Sequence, residues 1–273
     1  MKILLYANSE EKARAVLPWV RLLSRHFMTS VTIQSTRRAS PGEQAASELF
    51  RRELAGTKSL KVDSVVKDLD WPEEGIAREA LKGEYNLVIL APAGRRGVIR
   101  LFYGSMVGKV IRRVSTSVLV AREGAVPPRS ILACVSGSRH SLTNVRAAAQ
   151  LAVVFGCPVT IMMVISQLPV SFEGRDLAAR QEDFLAIDHP RAIHLRAARD
   201  LLHNLGAEGS IMVREGMVVE EILAALDGPG YDLLVLGTHR AEDYDPMYED
   251  LTSELVQRVT VPTLVVGLRA DLL

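Results

Sequence analysis

Short runs of β-branched and aliphatic residues, each bounded by turn residues, alternate along the chain with longer stretches whose apolar positions recur at helical spacing. The strand-like runs fall at 2–7, 30–35, 61–67, 86–91 and 117–121, and again at 130–135, 158–165, 209–214, 232–237 and 262–267. Between them lie helical patterns such as EEKARAVLPWVRLLSRHF (10–27) and SLTNVRAAAQLAVVFG (141–156), the second closed by a glycine. Strands joined by crossover helices must run parallel, and right-handed crossovers place helices on both faces of an open sheet.

The pattern occurs twice. NLVILAPAG (86–94) parallels DLLVLGTHR (232–240), and VIRRVSTSVLVAR (110–122) parallels LVQRVTVPTLVVG (255–267), at offsets of 146 and 145 residues. The half-starts KILLYANSE (2–10) and SILACVSGS (130–138) also match, and the Gly- and Pro-bearing stretch REGAVPPRS (122–130) reads as a linker. The expected fold is α/β, with two tandem open parallel-sheet, Rossmann-like domains of five strands each, over 1–125 and 126–273. The apolar final strands of the halves would be unprotected sheet edges, which predicts that the halves pair as an intrachain pseudo-dimer; a homodimer of chains is a further option.

Composition narrows the class. With 48% apolar residues in 273, the chain can build a sizeable core. The start, MKILLYANSEEK, lacks the apolar segment of a signal peptide, and the one long apolar stretch, 147–165, is broken by Gly156, Cys157 and Pro158. A cytoplasmic protein with no membrane span is expected. Cys134 and Cys157 lie in apolar surroundings without metal-ligand spacing, and His189 and His194 read as a solvated stretch. Arginine pairs are present, but they are scattered and few aromatics accompany them, so no nucleic-acid partner is expected.

Charge divides the halves. Residues 1–124 carry 21 Lys and Arg against 13 Asp and Glu, a net charge of +8, whereas the remainder is at −7. Within the positive half, APAGRRGVIRLFYGSMVGKVI (91–111) follows the fourth strand, on the sheet edge where ligands of open α/β sheets sit. Gly94, Gly97 and Gly104 would let backbone approach a phosphate, Ser105 would cap the helix that opens at Met106, and Arg95, Arg96 and Arg100 add positive charge. An ordinary surface turn explains the same residues, and both readings stand at this point.

Here the chain resembles the universal stress proteins, as a tandem pair covering nearly the whole sequence. Their nucleotide-binding members carry G-x2-G-x9-G-[ST] between the fourth strand and the last helix, and this chain has Ala91-x2-Gly94-x9-Gly104-Ser105. KVIRRVSTSVLVAR is similar to the family's final helix and strand, and REGMVVEEILAAL (214–226) to its third strand and following helix. The resemblance implies a nucleotide, ATP with magnesium, whose phosphates lie over Gly94, Gly104 and Ser105, with Arg95, Gly97 and Met106 alongside and the base toward Asn8 and Thr36. Two positions depart from the family: Asn8 stands where it has an Asp that contacts the nucleoside, and Ala91 replaces the first motif glycine.

The second half has Gly237 at the place of Ala91, but Arg240 for the next glycine, Glu249-Asp250 for Gly-Ser, and Ser136 for the Asp. Its loop contains Glu242, Asp243, Asp245, Glu249 and Asp250, which would repel phosphates, so no nucleotide is expected there; a metal site is the less favoured reading of these carboxylates.

No nucleophile elbow, P-loop or HExxH is present, and His140, Asp68 and Asp70 are isolated candidates for catalysis. The leading reading is a stress-response nucleotide-binding sensor or signalling module that works through its first half and a protein partner. The alternatives are a scaffold without ligand and a slow ATP-hydrolysing enzyme.

Overall fold

A computed structural model describes residues 1–57, 60–67, 71–92, 106–122, 126–138, 141–165, 181–228, 230–238 and 246–267. The first stretch of chain runs β1 (Lys2–Tyr6), α1 (Glu10–His26), β2 (Thr29–Thr36), α2 (Pro41–Leu54), β3 (Leu60–Lys67), α3 (Pro72–Lys82), β4 (Leu87–Leu90), α4 (Met106–Arg113) and β5 (Ser117–Val120). The next runs β6 (Ile131–Cys134), α5 (Ser141–Phe155), β7 (Val159–Ile165), α6 (Gln181–Ala186), α7 (Pro190–Asn204), β8 (Gly209–Glu215), α8 (Val218–Asp227), β9 (Leu233–Gly237) and α9 (Pro246–Arg258). The last strand is β10 (Thr263–Val266). Each strand lies within two residues of its predicted run, because hydrophobic periodicity and turn residues mark both ends.

Two compact units result: one from Met1–Pro127 with the segment that begins at Pro262, the other Pro128–Val261. In the first, the sheet order is β3-β2-β1-β4-β5-β10. The five leading strands are parallel, as the crossover helices require, with Leu4 paired to Thr32 on one side and to Val88 on the other. β10 departs from the single-half pattern: it runs antiparallel to β5, with Leu264 opposite Leu119, so the last strand of the second half belongs to the first unit's sheet. Gly267 follows it closely, its backbone N–H donating to Ser117 Oγ at 3.1 Å.

The first core is built where the sheet's apolar strands meet amphipathic helices. Ile3, Leu4, Leu5, Val88 and Ile89 are fully buried in the strands, and Val16, Val20, Trp19 and Phe50 cover them from α1 and α2. Ser9 caps α1 by accepting the Lys12 N–H, and Ser40 caps α2 by accepting that of Glu43.

In the second unit the order is β9-β6-β7-β8, all parallel, with Leu132 between Thr160 and Leu234. One face is closed by Leu132, Met162, Ile222, Leu234, Leu236 and Leu255, the other by helix α5, whose Val145, Ala148 and Ala149 are fully buried.

Candidate functional site

In the first unit β1 leads out to β2 on one side, while β4 lies on its other side, so the crevice of the strand-order reversal opens beyond the carboxyl ends of β1 and β4. Register brings the predicted residues to that edge. Tyr6 pairs with Leu90 and Leu5 with Ile33, so Asn8, Thr36 and Ala91 follow at similar heights on three neighbouring strands. Met106 opens α4 and is half-buried. Gly94, Arg95, Gly97, Gly104 and Ser105 lie outside the described residues, as do Asp68, Asp70 and His140.

The three strand-end residues differ in what they present. Asn8 is exposed, and its Oδ1 accepts from Lys12 Nζ at 2.5 Å. Ala91 is buried at its strand end. Thr36 is turned inward: its N–H donates to Glu43 Oε1 at 2.5 Å and its hydroxyl to Glu43 Oε2 at 3.1 Å. The Thr36 hydroxyl is therefore committed to the protein.

Glu43 was not legible as a site residue. It follows Ser40 by three, the spacing of a capping box, which sends the carboxylate back to its own helix N-terminus; instead the carboxylate braces the end of β2. Tyr6 lies nearby, its phenol pushed well above the ordinary value by burial and then by the charge and hydrogen bond of Glu43. A second buried carboxylate, Glu73 of α3, receives Lys109 Nζ of α4 at 2.9 Å. Burial opposes its ionisation and works to raise its pKa, but the Lys109 hydrogen bond, a backbone hydrogen bond and the charges of Lys109 and Arg113 outweigh burial and hold it below the usual carboxylate range. Lys109 also stands over the Trp71 ring, 5.8 Å from its centre. The helix that follows the glycine-rich sequence is thus clamped to α3 by charge.

The second unit holds a cavity of about 130 Å³ at the equivalent edge, beyond the carboxyl ends of β6, β7 and β9. Met162, Val164, Ile222, Leu236, Leu251 and Leu255 give it apolar walls. Asn144 lines it from α5, donating from Nδ2 to the Cys134 carbonyl at 3.1 Å. The Cys134 thiol, also on the wall, is pushed up to about 12 by burial and is a neutral S–H.

The two histidines correct the expectation of a solvated stretch. His194 is buried in α7 and shares a 2.9 Å hydrogen bond with Ser141, and burial lowers its proton affinity, so it packs as a neutral ring. His189 caps the same helix through Nδ1, accepting the Arg191 N–H. They lie on one helix terminus and one core face because residues five apart across a helix start point differently. Both cysteines are free thiols. Among the described residues no cluster of three or more His, Cys, Asp or Glu is arranged for a metal, and no helix is long and apolar enough to cross a membrane.

Parallel β-α repeats with a strand-order reversal in each unit, and a glycine-rich β4–α4 segment at one of them, define an α/β ligand-binding class. The Universal stress protein family model matches residues 20–122 and again 128–267, and the chain belongs to that family. Among solved structures, a functionally unknown protein from Pseudomonas aeruginosa PAO1 has the same fold at 15% identity, with a TM-score of 0.68, over 98% of this chain and 93% of that one. A universal stress protein from Archaeoglobus fulgidus DSM 4304 superposes at 14% identity and a TM-score of 0.65, over 97% and 95%. No curated protein matches the chain.

Proposed function

We propose that the protein is a cytoplasmic, stress-response nucleotide-binding module that takes ATP through its first half and signals to a protein partner rather than catalysing a reaction. The carrying observation is the position of the 91–106 segment: β4 ends at Leu90 and α4 begins at Met106, so the segment with Gly94, Gly97, Gly104 and Ser105 leaves the sheet at the β1/β4 reversal. Anions are drawn there by the first half's net charge of +8 and by the N-terminus of α4.

In this reading the phosphates lie over Gly94, Gly104 and Ser105 with Arg95 and Gly97 beside them, Met106 at the helix start, and Asn8 turned to the nucleoside. Thr36 contributes position only, since its hydroxyl is held by Glu43. Ala91 weakens binding relative to glycine by its added methyl. Magnesium, if recruited, would be held by phosphate oxygens. The second half, with its acidic 242–250 sequence, takes no phosphate.

Equilibrium dialysis of the full chain against ATP and magnesium tests this directly. One ATP per chain supports it; none at millimolar concentration leaves the ligand-free scaffold.

A further inference from the structure

The needs of the fold do not account for Trp71. It is the N-cap of α3, where Ser, Thr, Asp or Asn would hold the first backbone N–H groups, yet it makes no side-chain cap hydrogen bond. It is also 63% exposed, so it adds little to the core. At the 146-residue offset of the repeat, the N-cap of α8 is Met217, equally without a cap hydrogen bond and 75% exposed, so both helices start on a large apolar side chain left in water. We propose, building on the nucleotide reading of the first half, that Trp71 is a specificity-determining residue of that site: the base stacks on its indole, and purine nucleotides are taken by the area of the ring rather than by its hydrogen-bonding edge.

Position carries the first part of the argument. Thr36, toward which the base is directed, pairs in register with Lys67, the last residue of β3, so the chain that runs on to Trp71 leaves the sheet beside Thr36 at the carboxyl edge. From there α3 passes over β2 and β1 and packs against α4. The indole is placed by α4: Lys109 Nζ lies 5.8 Å from the ring centre and is itself held by Glu73 at 2.9 Å. A base that meets a ring already in place gives up less freedom on binding.

Hydrogen bonding points the same way. The Thr36 N–H and hydroxyl are both taken by Glu43, and Asn8 Oδ1 accepts from Lys12 Nζ. These two strand ends offer the edge of a base few groups to read, whereas an exposed indole offers its face to any base. Stacking on an aromatic side chain tolerates changes of base and grows with the apolar area covered, so adenine and guanine are held alike and a pyrimidine less well.

The test titrates the full chain with ATP, GTP and CTP, each with magnesium, following heat and tryptophan emission together. The chain has two tryptophans, and Trp19 is buried in the core, so a ligand that changes exposed emission reports on Trp71. The proposal expects ATP and GTP to bind alike and to quench that emission, and CTP to bind more weakly. Trp71→Leu should weaken ATP about tenfold without a change in melting temperature, and Trp71→Phe, which keeps an aromatic face, should restore most of the loss. ATP binding without quenching, equal ATP affinity in Trp71→Leu, no rescue by Trp71→Phe, or GTP bound far more weakly than ATP would each overturn the role of Trp71 and leave the nucleotide reading standing. A parent chain that binds none of the three overturns both.

Discussion

Gly42, at the start of α2, lies so near the β1–α1 turn that a Cβ placed on it would come within 2.7 Å of the Asn8 carbonyl oxygen. The contact is with backbone, which cannot rotate out of the way. Alanine normally improves a helix over glycine by roughly 0.5–1 kcal/mol, but here α2 or the Asn8 turn would have to shift. Gly42→Ala is expected to destabilise the chain by about 1–3 kcal/mol in urea unfolding and to weaken any ligand held at Asn8.

The phenols give an alkaline signature. The Tyr6 phenol is raised by burial and then by Glu43, and that of Tyr85 to about 12 by burial first, against a hydrogen bond from the Thr32 side that lowers it. A raised folded value means that the folded chain keeps its proton while the unfolded chain, near pH 10, gives it up, so stability is present below that pH and falls above it. The raised Cys134 and Cys157 thiols act in the same sense from about pH 8.5. The urea midpoint should fall from pH 8.5 to 11, and Tyr6→Phe should flatten the part above pH 10; a midpoint that holds level to pH 11 contradicts this.

The α3–α4 clamp works in acid. Glu73 is held below its ordinary value, so its contribution is complete above about pH 4.3 and is lost as pH falls through the folded value. Lys109→Met leaves the nearly buried carboxylate without its cation. A fully buried pair would lose about 3–5 kcal/mol, but Lys109 is 41% exposed and water substitutes for part of the interaction, so about 1–2 kcal/mol is expected, shrinking below pH 4. Thermal unfolding of both forms between pH 3 and 7 measures the difference.

In the second unit, Gly237→Ala drives a methyl into the Asn144 amide and breaks its hydrogen bond to Cys134. The expected loss is about 1–3 kcal/mol in chemical denaturation, with the Asn144 side-chain amide resonances displaced; a variant as stable as the parent would mean the amide has another place to go.

How far the sequence carried is clear from individual elements. Strands such as β4 and β9 are short apolar runs, the one closed by Pro92 two residues on and the other ending in Gly237, so their limits and their role in a parallel sheet are written locally. Asn8, Thr36 and Ala91 reach one edge because strand register follows from that topology. The final strands of the two halves were legible as apolar edges that cover each other, but nothing local gives the antiparallel direction of β10 on β5 or its register. Thr36 and Asn144 show the limit for side chains. The Thr36 hydroxyl is taken by Glu43, which the capping-box spacing assigns elsewhere. Asn144 reads as a polar helix position, and its burial depends on how closely β6 and β9 approach α5. His194 misled for the same reason: its polarity is local and its burial is tertiary.

The central claim is that the 91–106 segment cradles a nucleotide's phosphates. Isothermal titration of the full chain with ATP and magnesium, repeated on Gly104→Glu, tests it most directly, since a carboxylate at that glycine repels phosphate. Binding of about one ATP per chain in the parent, abolished in a variant that unfolds at the same temperature, is the predicted result. No heat in the parent, or equal binding by the folded variant, would contradict it.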